Sequence, residues 1–392
     1  MALFNSRFAL LRWTPVLLLV GLVLLTAILW PRTDYLPAQQ LPFSAQRLAD
    51  SPIITVDKSP RLAALAEAQG YININGPSMI RVPSWIEQPL GKYYLYFSHH
   101  KGEFIRMAYA DMPEGPWTVY EPGVLSLQQS GFPVNQIPTL SPQEGLAELW
   151  DNFSIFIVRD SIVAIYKALV TDQKRRRDRG LELSQTKIPH IASPDIVVDN
   201  NNQRILMFYH GQRDSLSQIT GIASSGDGVN FTASENTVSA VYTRYFAYGE
   251  KHYLLSSPGI LFRSNSILGP YIPRDKSLFE VNFRRAAVML DGDRLTVVWS
   301  KVGEAPERLL LSQVDLSAPN WDRWRASEAV ELLAPELPWE GASLAPMPSL
   351  RGELVSVANE LRDPYIFTDN HNKKYLLYVG AGEQAIGIAS LE

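Results

Sequence analysis

Residues 364–380 read PYIFTDNHNKKYLLYVG: an apolar segment, a polar turn, and a second segment rich in tyrosine, leucine and valine. The turn contains residue types that tolerate hairpin geometry, and the flanking segments have the composition of strands. Four more segments repeat this order: residues 78–98 (SMIRVPSWIEQPLGKYYLYFS), 195–211 (DIVVDNNNQRILMFYHG), 245–256 (YFAYGEKHYLLS) and 286–300 (AAVMLDGDRLTVVWS). The sequence therefore predicts five related β-hairpins.

A third strand candidate follows each hairpin. These candidates are residues 104–110 (FIRMAYA), 218–224 (QITGIAS), 259–264 (GILFRS), 308–314 (RLLLSQV) and 385–390 (AIGIAS). Repeated antiparallel units of this kind are typical of propeller blades, so the predicted fold is an all-β, five-bladed β-propeller. A β-sandwich is the alternative, because period-2 patterning alone does not distinguish the two.

The last unit stops at its third strand, since the chain ends at Glu392. Because a radial array normally protects its edges, we expect a strand from the N-terminal side to complete this blade. Residues 53–56 and 71–74 are the two candidates.

The N-terminal region predicts a membrane anchor. Residues 13–31 carry no charge and are long enough to cross roughly 30 Å of hydrocarbon. Arg7 and Arg12 precede the segment, which favours a cytoplasmic N-terminus and an exported body. A cleaved signal peptide is the alternative, but its apolar region usually has only about 7–15 residues and a small-x-small cleavage site. The predicted location is thus membrane-anchored, with the bulk of the chain periplasmic or extracellular in a bacterial envelope.

The predicted organisation is an anchor over residues 1–32, a Pro- and Gln-rich spacer over 33–59, and the propeller over 60–392, with a short helix at 61–69. An insertion at about 121–188 breaks the repeat between the first two blades. Its basic run at 174–177 (KRRR) is predicted to be a solvated loop, with contact to anionic lipid or an acidic glycan as the alternative.

Composition excludes several classes of function. The chain has 392 residues, 46% of them hydrophobic, so it can bury a core. The formal net charge of -4 gives no reason to expect nucleic acid as a partner. Without cysteine, disulfides and thiolate sites are impossible. No histidine pair has metal-site spacing, so no metal or cofactor is predicted, although a structural calcium ion stays open. The chain is expected to be a monomer.

Polar residues open the innermost strand of every predicted blade, where a propeller brings side chains to its central channel. Two second strands also end in histidine, at His100 and His210. The predicted ligand-binding residues are Asn75, His100, His190, His210, Arg244, Arg285 and Arg362. Polar groups at equivalent points of five repeats indicate a binding site on the axis rather than a solvated surface.

Three carboxylates are candidates for catalysis, because glycoside hydrolysis needs two carboxyl groups facing each other across the scissile bond. Asp195 and Asp363 open inner strands, and Glu340 lies in a loop that is expected to fold over the mouth of the central channel. Arg362 is expected to keep its neighbour Asp363 ionised. The apolar setting of Glu340 predicts a raised pKa for this carboxyl. A structural role is the alternative for Asp195 and Asp363, and a solvated loop position is the alternative for Glu340.

The motifs NGPSMIRV (75–82), ADMPEGPW (110–117), SPDIVVD (193–199) and RDPYIF (362–367) resemble the blade motifs of glycoside hydrolase family 43 and its five-bladed relatives. The likeness covers roughly residues 71–392 apart from the insertion, and it implies a propeller that handles sugar. Where the family has the Asp-Pro pair of its general base, this chain has Gly76-Pro77. Glu340-Gly341 is similar to the family's Glu-Gly-Pro acid motif, and Asp363-Pro364 matches the Asp-Pro form of its third acidic residue.

The resulting hypothesis is a divergent, glycoside hydrolase-like enzyme acting on an envelope or extracellular glycan. The arginines suggest an anionic glycan, because guanidinium groups bind carboxylate and sulfate in bidentate fashion. A non-catalytic, membrane-anchored carbohydrate-binding propeller is the second hypothesis, and an assembly scaffold is the third.

Overall fold

A computed structural model describes residues 34–141, 162–181, 188–215 and 217–392, with the backbone alone for 162–166. In chain order its strands are β1 (Ala45–Arg47), β2 (Asn75–Arg81), β3 (Tyr93–Ser98), β4 (Phe104–Ala110), β5 (Thr118–Ser126), β6 (Ile191–Asp199), β7 (Arg204–Gln212), β8 (Gln218–Ser225), β9 (Thr232–Ser239), β10 (Arg244–Tyr248), β11 (Lys251–Ser256), β12 (Ile260–Ser264), β13 (Ile272–Pro273), β14 (Phe283–Asp291), β15 (Arg294–Lys301), β16 (Leu309–Asp315), β17 (Val330–Leu333), β18 (Leu361–Thr368), β19 (Lys374–Gly380) and β20 (Ala385–Leu391).

Within these ranges the strands form five four-stranded antiparallel sheets, in the orders β2-β3-β4-β5, β6-β7-β8-β9, β10-β11-β12-β13, β14-β15-β16-β17 and β18-β19-β20-β1. We call them blades 1 to 5. The first strand of each blade contacts the first strand of the next, and β18 of blade 5 contacts β2 of blade 1. This closed ring confirms the five-bladed β-propeller and rules out a sandwich.

The core consists of layers between neighbouring blades. In β3, Leu95 and Phe97 pack toward blade 5, whereas Tyr94 and Tyr96 pack toward blade 2. The other three junctions between blades hold similar clusters. Because alternate side chains of a strand point to opposite faces and both faces are covered, the second strands are nearly continuous apolar runs.

Blade 5 is completed from the N-terminal side, as predicted, but by a different segment. Ala45 pairs with Leu391 and Arg47 with Ala389. Of the two predicted segments, residues 53–56 contribute only the bridge of Ile54 to Ile386. The residues of β1 (AQR) include no large apolar side chain and none of them is fully buried, so they lack the apolar alternation that marks a strand. Residues 45–47 are therefore part of the propeller, and the predicted spacer is wrong at this point.

The helix predicted at residues 61–69 is confirmed as α1 (Pro60–Gln69). The Ser59 hydroxyl accepts the N–H of Leu62 at 3.1 Å, which caps the helix start. At the other end Gly70 adopts φ 76°, the left-handed conformation that terminates helices.

The insertion is shorter than predicted, because residues 121–126 belong to β5. It contains a second helix, α2 (Ile162–Asp178). The basic run 174–177 lies on this helix and is not a loop. Arg176 is buried and contacts Asp172 at 3.0 Å, because residues four apart lie on the same side of a helix. Arg176 also donates to the carbonyl of Arg351.

Among the residues that the structure describes, no helix combines the length and the apolar composition needed to cross a bilayer. The anchor predicted at residues 13–31 lies outside those residues.

Candidate functional site

The inner strands of four blades are irregular at the same place. Their pairing with the second strand shifts between Asn75 and Ser78, Ala192 and Asp195, Phe283 and Ala286, and Arg362 and Tyr365. Such bulges re-aim side chains and often occur beside functional sites. The residues with left-handed backbone at or near these inner-strand starts are Gly76 (φ 65°), Ser193 (57°), Tyr242 (55°) and Asp363 (46°). For the three that are not glycine this conformation is strained.

Arg244 closes the axis of the propeller. Its guanidinium donates to the carbonyls of Pro77 at 3.1 Å, Pro194 at 3.2 Å, Ala286 at 2.7 Å and Pro364 at 3.1 Å. These carbonyls belong to the four other blades. A fifth bond reaches the Asp195 carboxylate at 2.9 Å. One side chain therefore uses its five N–H groups to tie all blades together.

The carboxylate of Asp195 is engaged by this bond from Arg244. Its second oxygen accepts the N–H of Tyr245 at 2.8 Å. Burial raises the pKa of Asp195, while the charge of Arg244 and the Tyr245 N–H oppose the rise. Asp195 and Arg244 do lie on the axis, but their hydrogen bonds are directed at each other and at the backbone. A cavity of about 210 Å³ is lined by this pair together with Val197, Tyr245 and Tyr365 among others.

Arg285 is the second axial arginine, and it is completely buried. Its Nη2 donates to the Pro194 carbonyl at 3.2 Å, and its Nη1 lies 3.7 Å from Asp363 Oδ2. Within the described chain, Nε and Nη1 have no hydrogen-bond partner. Burial and the charge of Arg244 lower the pKa of Arg285 to about 9, so it stays charged at neutral pH.

Gly76 makes room for Arg285. A Cβ at this position would lie 2.4 Å from Arg285 Nη1 and 3.2 Å from the Cα of Ser193. The glycine at this position thus allows a guanidinium from blade 4 to reach the axis.

Arg362 does not pair with its neighbour Asp363, contrary to prediction. It contacts Glu360 at 2.5 Å and Glu383 at 3.3 Å. Successive residues of a strand point to opposite sides, and the bulge after Arg362 turns Asp363 toward Arg285 instead. Burial opposes the charge of Arg362, but the carboxylates of Glu360 and Glu307 outweigh it and raise the pKa.

Three predicted histidines meet at one mouth of the channel, which we call the funnel. The rings of His190 and His210 are 5.8 Å apart, and His210 lies 4.7 Å from the ring of Tyr242. Tyr242 Oη is 3.0 Å from His100 Nε2. Burial lowers the pKa of His190 to about 4 and that of His210 well below its usual value. Among described residues, neither ring nitrogen of the buried His210 has a partner.

Asn75 belongs to the support of this funnel. Its carboxamide oxygen accepts the Ser98 hydroxyl at 2.9 Å, and its Nδ2 donates to Asn73 Oδ1 at 3.0 Å. Asn73 in turn donates to Glu383 at 2.5 Å. The predicted binding residue therefore orients the polar network and is itself buried.

Glu340 is not at the funnel. Arg47 donates to both of its oxygens at 2.8 Å, and the Tyr378 hydroxyl and the N–H of Leu337 also bond to it. Burial acts to raise its pKa, but these partners outweigh burial and the pKa is lowered. The prediction of a raised pKa is wrong, because the turn Pro338–Glu340 packs against β19 and is bonded to Arg47 of β1 rather than lying over the axis.

Sequence reasoning missed Glu383, which lies in the turn between β19 and β20, and gave Tyr242 no role. In an antiparallel blade the second strand ends where the first begins, so the turn after β19 is at the funnel. The same rule had already placed His100 and His210 there. Within the described ranges no group of three or more His, Asp or Glu side chains is arranged to hold a metal ion.

No family model matches the chain. Among solved structures, it is similar to a GH43_1 enzyme of Xanthomonas citri, with 12% identity over 88% of this chain and 91% of the other and a TM-score of 0.49. A GH43 β-xylosidase/α-arabinofuranosidase from a compost metagenome is 10% identical over 89% and 95%, with a TM-score of 0.48. A GH130 structure has 13% identity over 92% and 96% and a TM-score of 0.47. The predicted resemblance to family 43 is thus confirmed, since its members are among these neighbours.

A much closer relative in sequence is the uncharacterized protein R118 of Acanthamoeba polyphaga mimivirus. The two chains are 30% identical over 345 residues, which is 82% of this chain and 84% of R118. The chain therefore belongs to the same family as R118.

Proposed function

We propose that the funnel binds a carbohydrate and hydrolyses its glycosidic bond, with Asp363 as the axial carboxylate. The observation that carries this proposal is the setting of Asp363. A strained left-handed backbone aims it at the axis, and its ion pair with Arg285 spans 3.7 Å, which is too long for a hydrogen bond. Its oxygens are thus positioned and available to activate a water.

Hydrolysis also needs a proton donor for the leaving oxygen. Glu340 does not supply it, because it is bound by Arg47 away from the funnel. Asp195 does not supply it either, because Arg244 holds it. The donor must come from the histidine and tyrosine side of the funnel, where His100 and Tyr242 are only partly buried.

The charges of the site favour a neutral sugar. Arg244 and Arg362 are engaged by carboxylates and carbonyls, and Arg285 is covered. Recognition of an anionic glycan would need guanidinium groups that face the ligand, and these three do not.

A second candidate is non-catalytic sugar binding. It is favoured by the contacts of the predicted catalytic carboxylates. Asp195 and Glu340 each form a hydrogen-bonded ion pair with an arginine, which leaves only Asp363 of the three. In this reading the funnel holds a glycan without cutting it.

The test is a panel of 4-nitrophenyl glycosides of neutral pentoses and hexoses, one glucuronide, and xylotriose, incubated with the purified chain. For the best substrate, Asp363→Asn should lower kcat/KM by about 10²–10⁴-fold with an unchanged melting midpoint. Asp291→Asn, at an exposed hairpin turn, is the matched control and should have no effect. Equal activity of Asp363→Asn and wild type contradicts the assignment. Sugar binding by the wild type without turnover of any substrate supports the second candidate.

Membrane anchoring through residues 13–31 and an exported propeller in the envelope remain part of the proposal. Deletion of residues 1–32 should release a folded, soluble protein, because β1 begins only at Ala45. Fractionation of cells that express both forms checks this, and an insoluble truncated form contradicts it.

A further inference from the structure

We propose that Tyr242, His100 and Glu383 form a proton relay that serves as the general acid of the funnel. This inference rests on the proposed glycoside hydrolysis and identifies the donor that it lacks. Tyr242 would contact the glycosidic oxygen, and His100 and Glu383 would act through it.

The three side chains are joined by two hydrogen bonds. Glu383 Oε1 lies 3.1 Å from His100 Nδ1, and His100 Nε2 lies 3.0 Å from Tyr242 Oη. They come from blade 5, the end of β3 in blade 1, and the start of blade 3. In this order of hydroxyl, imidazole and carboxylate, the carboxylate orients the imidazole, and the imidazole exchanges a proton with the hydroxyl.

The far end of the relay is held rigidly. Asn73 donates to Glu383 at 2.5 Å and accepts the backbone N–H of His100 at 2.9 Å. Arg362 contacts Glu383 at 3.3 Å. Burial would raise the pKa of Glu383, but His100 and Arg362 outweigh burial and lower it to about 2. The carboxylate is therefore ionised, and His100 must carry a proton on Nδ1 to bond with it.

The near end of the relay is strained and packed. Tyr242 has φ 55°, a conformation in which a bulky side chain is a genuine outlier. The His210 ring packs against it at 4.7 Å and, within the described residues, has no hydrogen-bond partner of its own. Strain of this kind persists where the surroundings hold a group in place, as at functional sites.

The proton balance of the step is as follows. When His100 is doubly protonated, its Nε2–H donates to Tyr242 Oη, which leaves the hydroxyl hydrogen for the glycosidic oxygen. As the C–O bond breaks, its electron pair goes to that oxygen, which takes the Tyr242 proton while His100 replaces it. Water adds to the anomeric carbon and passes a proton to Asp363. Burial and the charges of Asp363 and Glu383 raise the pKa of Tyr242, so both transfers must be concerted.

A purely structural role predicts something else. In that case the Tyr242–His100 bond only joins blades 1 and 3, and its loss affects stability or all substrates alike. A proton donor has a specific signature, because its loss matters only when the leaving group needs a proton.

The experiment compares two aryl glycosides of the sugar found in the panel, one with a 2,4-dinitrophenyl and one with a 4-methoxyphenyl leaving group. Tyr242→Phe should lower kcat/KM on the methoxyphenyl glycoside by about 10²–10³-fold, and on the dinitrophenyl glycoside by less than about 10-fold. His100→Gln and Glu383→Gln should also lower kcat/KM more on the methoxyphenyl glycoside than on the dinitrophenyl glycoside. Tyr245→Phe is the matched control, because its hydroxyl also bonds a histidine, His252 at 2.8 Å, away from the relay; it should change neither rate.

Equal losses on both substrates, or no loss, overturn the relay. If the melting midpoint shows that Tyr242→Phe is unfolded, His100→Gln and Glu383→Gln decide by the same criterion. Turnover that depends on Asp363 but not on Tyr242 refutes the relay alone. Absence of any wild-type turnover refutes the proposed function, and the relay with it.

Discussion

Replacing Arg244 by methionine should nearly unfold the propeller. The change removes five hydrogen bonds and leaves Asp195 charged, buried and unpaired. Breaking a buried ion pair from one side costs about 3–5 kcal/mol. Carbonyls left without a donor add about 1 kcal/mol or more each. We therefore expect a loss of at least about 5 kcal/mol, which is comparable to the total stability of many proteins.

Urea unfolding followed by tryptophan fluorescence measures this loss. Arg244→Lys keeps the charge but has three donors instead of five, so it should cost about half as much. Arg204→Met is the matched control: its ion pair with Asp199 at 2.8 Å is partly exposed, and its loss should cost under about 1 kcal/mol.

A double variant separates the energetic cost of the broken ion pair from that of the lost hydrogen bonds to the carbonyls. Adding Asp195→Leu to Arg244→Met removes the unpaired charge and should recover about 2–3 kcal/mol. If Arg244→Met costs no more than Arg204→Met, Arg244 does not hold the blades together and the reasoning fails.

Three further changes have expected outcomes. Gly76→Ala should lower the melting midpoint more than Gly249→Ala, because both glycines have positive φ but only the first would place a Cβ within 3 Å of another atom; equal shifts contradict the steric argument. Glu340→Gln should destabilise the protein by about 2–4 kcal/mol and leave turnover unchanged, because it breaks a buried ion pair outside the funnel; a loss of turnover at unchanged stability would restore Glu340 as a catalytic acid. Burial lowers the folded-state pKa of His190 to about 4 from 6.5, so its stabilising contribution is complete above pH 6.5 and is lost as the pH falls toward 4. His190→Gln should therefore reduce the difference in melting midpoint between pH 7.5 and pH 5, and an unaltered difference refutes this.

The repeated hairpins were predictable because their physical cause is local. The segment YLYF in β3 is buried on both faces, and such a run appears in a sequence as continuous apolar residues. The axial side chains were predictable too, because topology alone brings the starts of the inner strands together.

Contacts between blades were not predictable in the same way. Arg362 and Asp363 are adjacent in sequence, yet a bulge sends one toward Glu360 and the other toward Arg285. The strand β1 was missed because an alanine followed by two polar residues carries no strand signal of its own. The edge of β20, with which these residues pair, makes them a strand. Glu383 was missed because a glutamate in a Gly-rich turn looks solvated until the antiparallel order of the blade is considered.

The position of Gly76 explains why the carboxylate that pairs with Arg285 comes from blade 5. Gly76 and Asp363 occupy equivalent bulges of β2 and β18. A side chain on the first would collide with the Arg285 guanidinium, which extends from blade 4 into that space. An aspartate introduced by Gly76→Asp would place its Cβ 2.4 Å from Arg285 Nη1, so it does not fit unless Arg285 moves. Asp363 approaches the same cation from blade 5, which is next to blade 4, at 3.7 Å and without a collision. A carboxylate facing Arg285 across the axis is thus possible on blade 5 and blocked on blade 1.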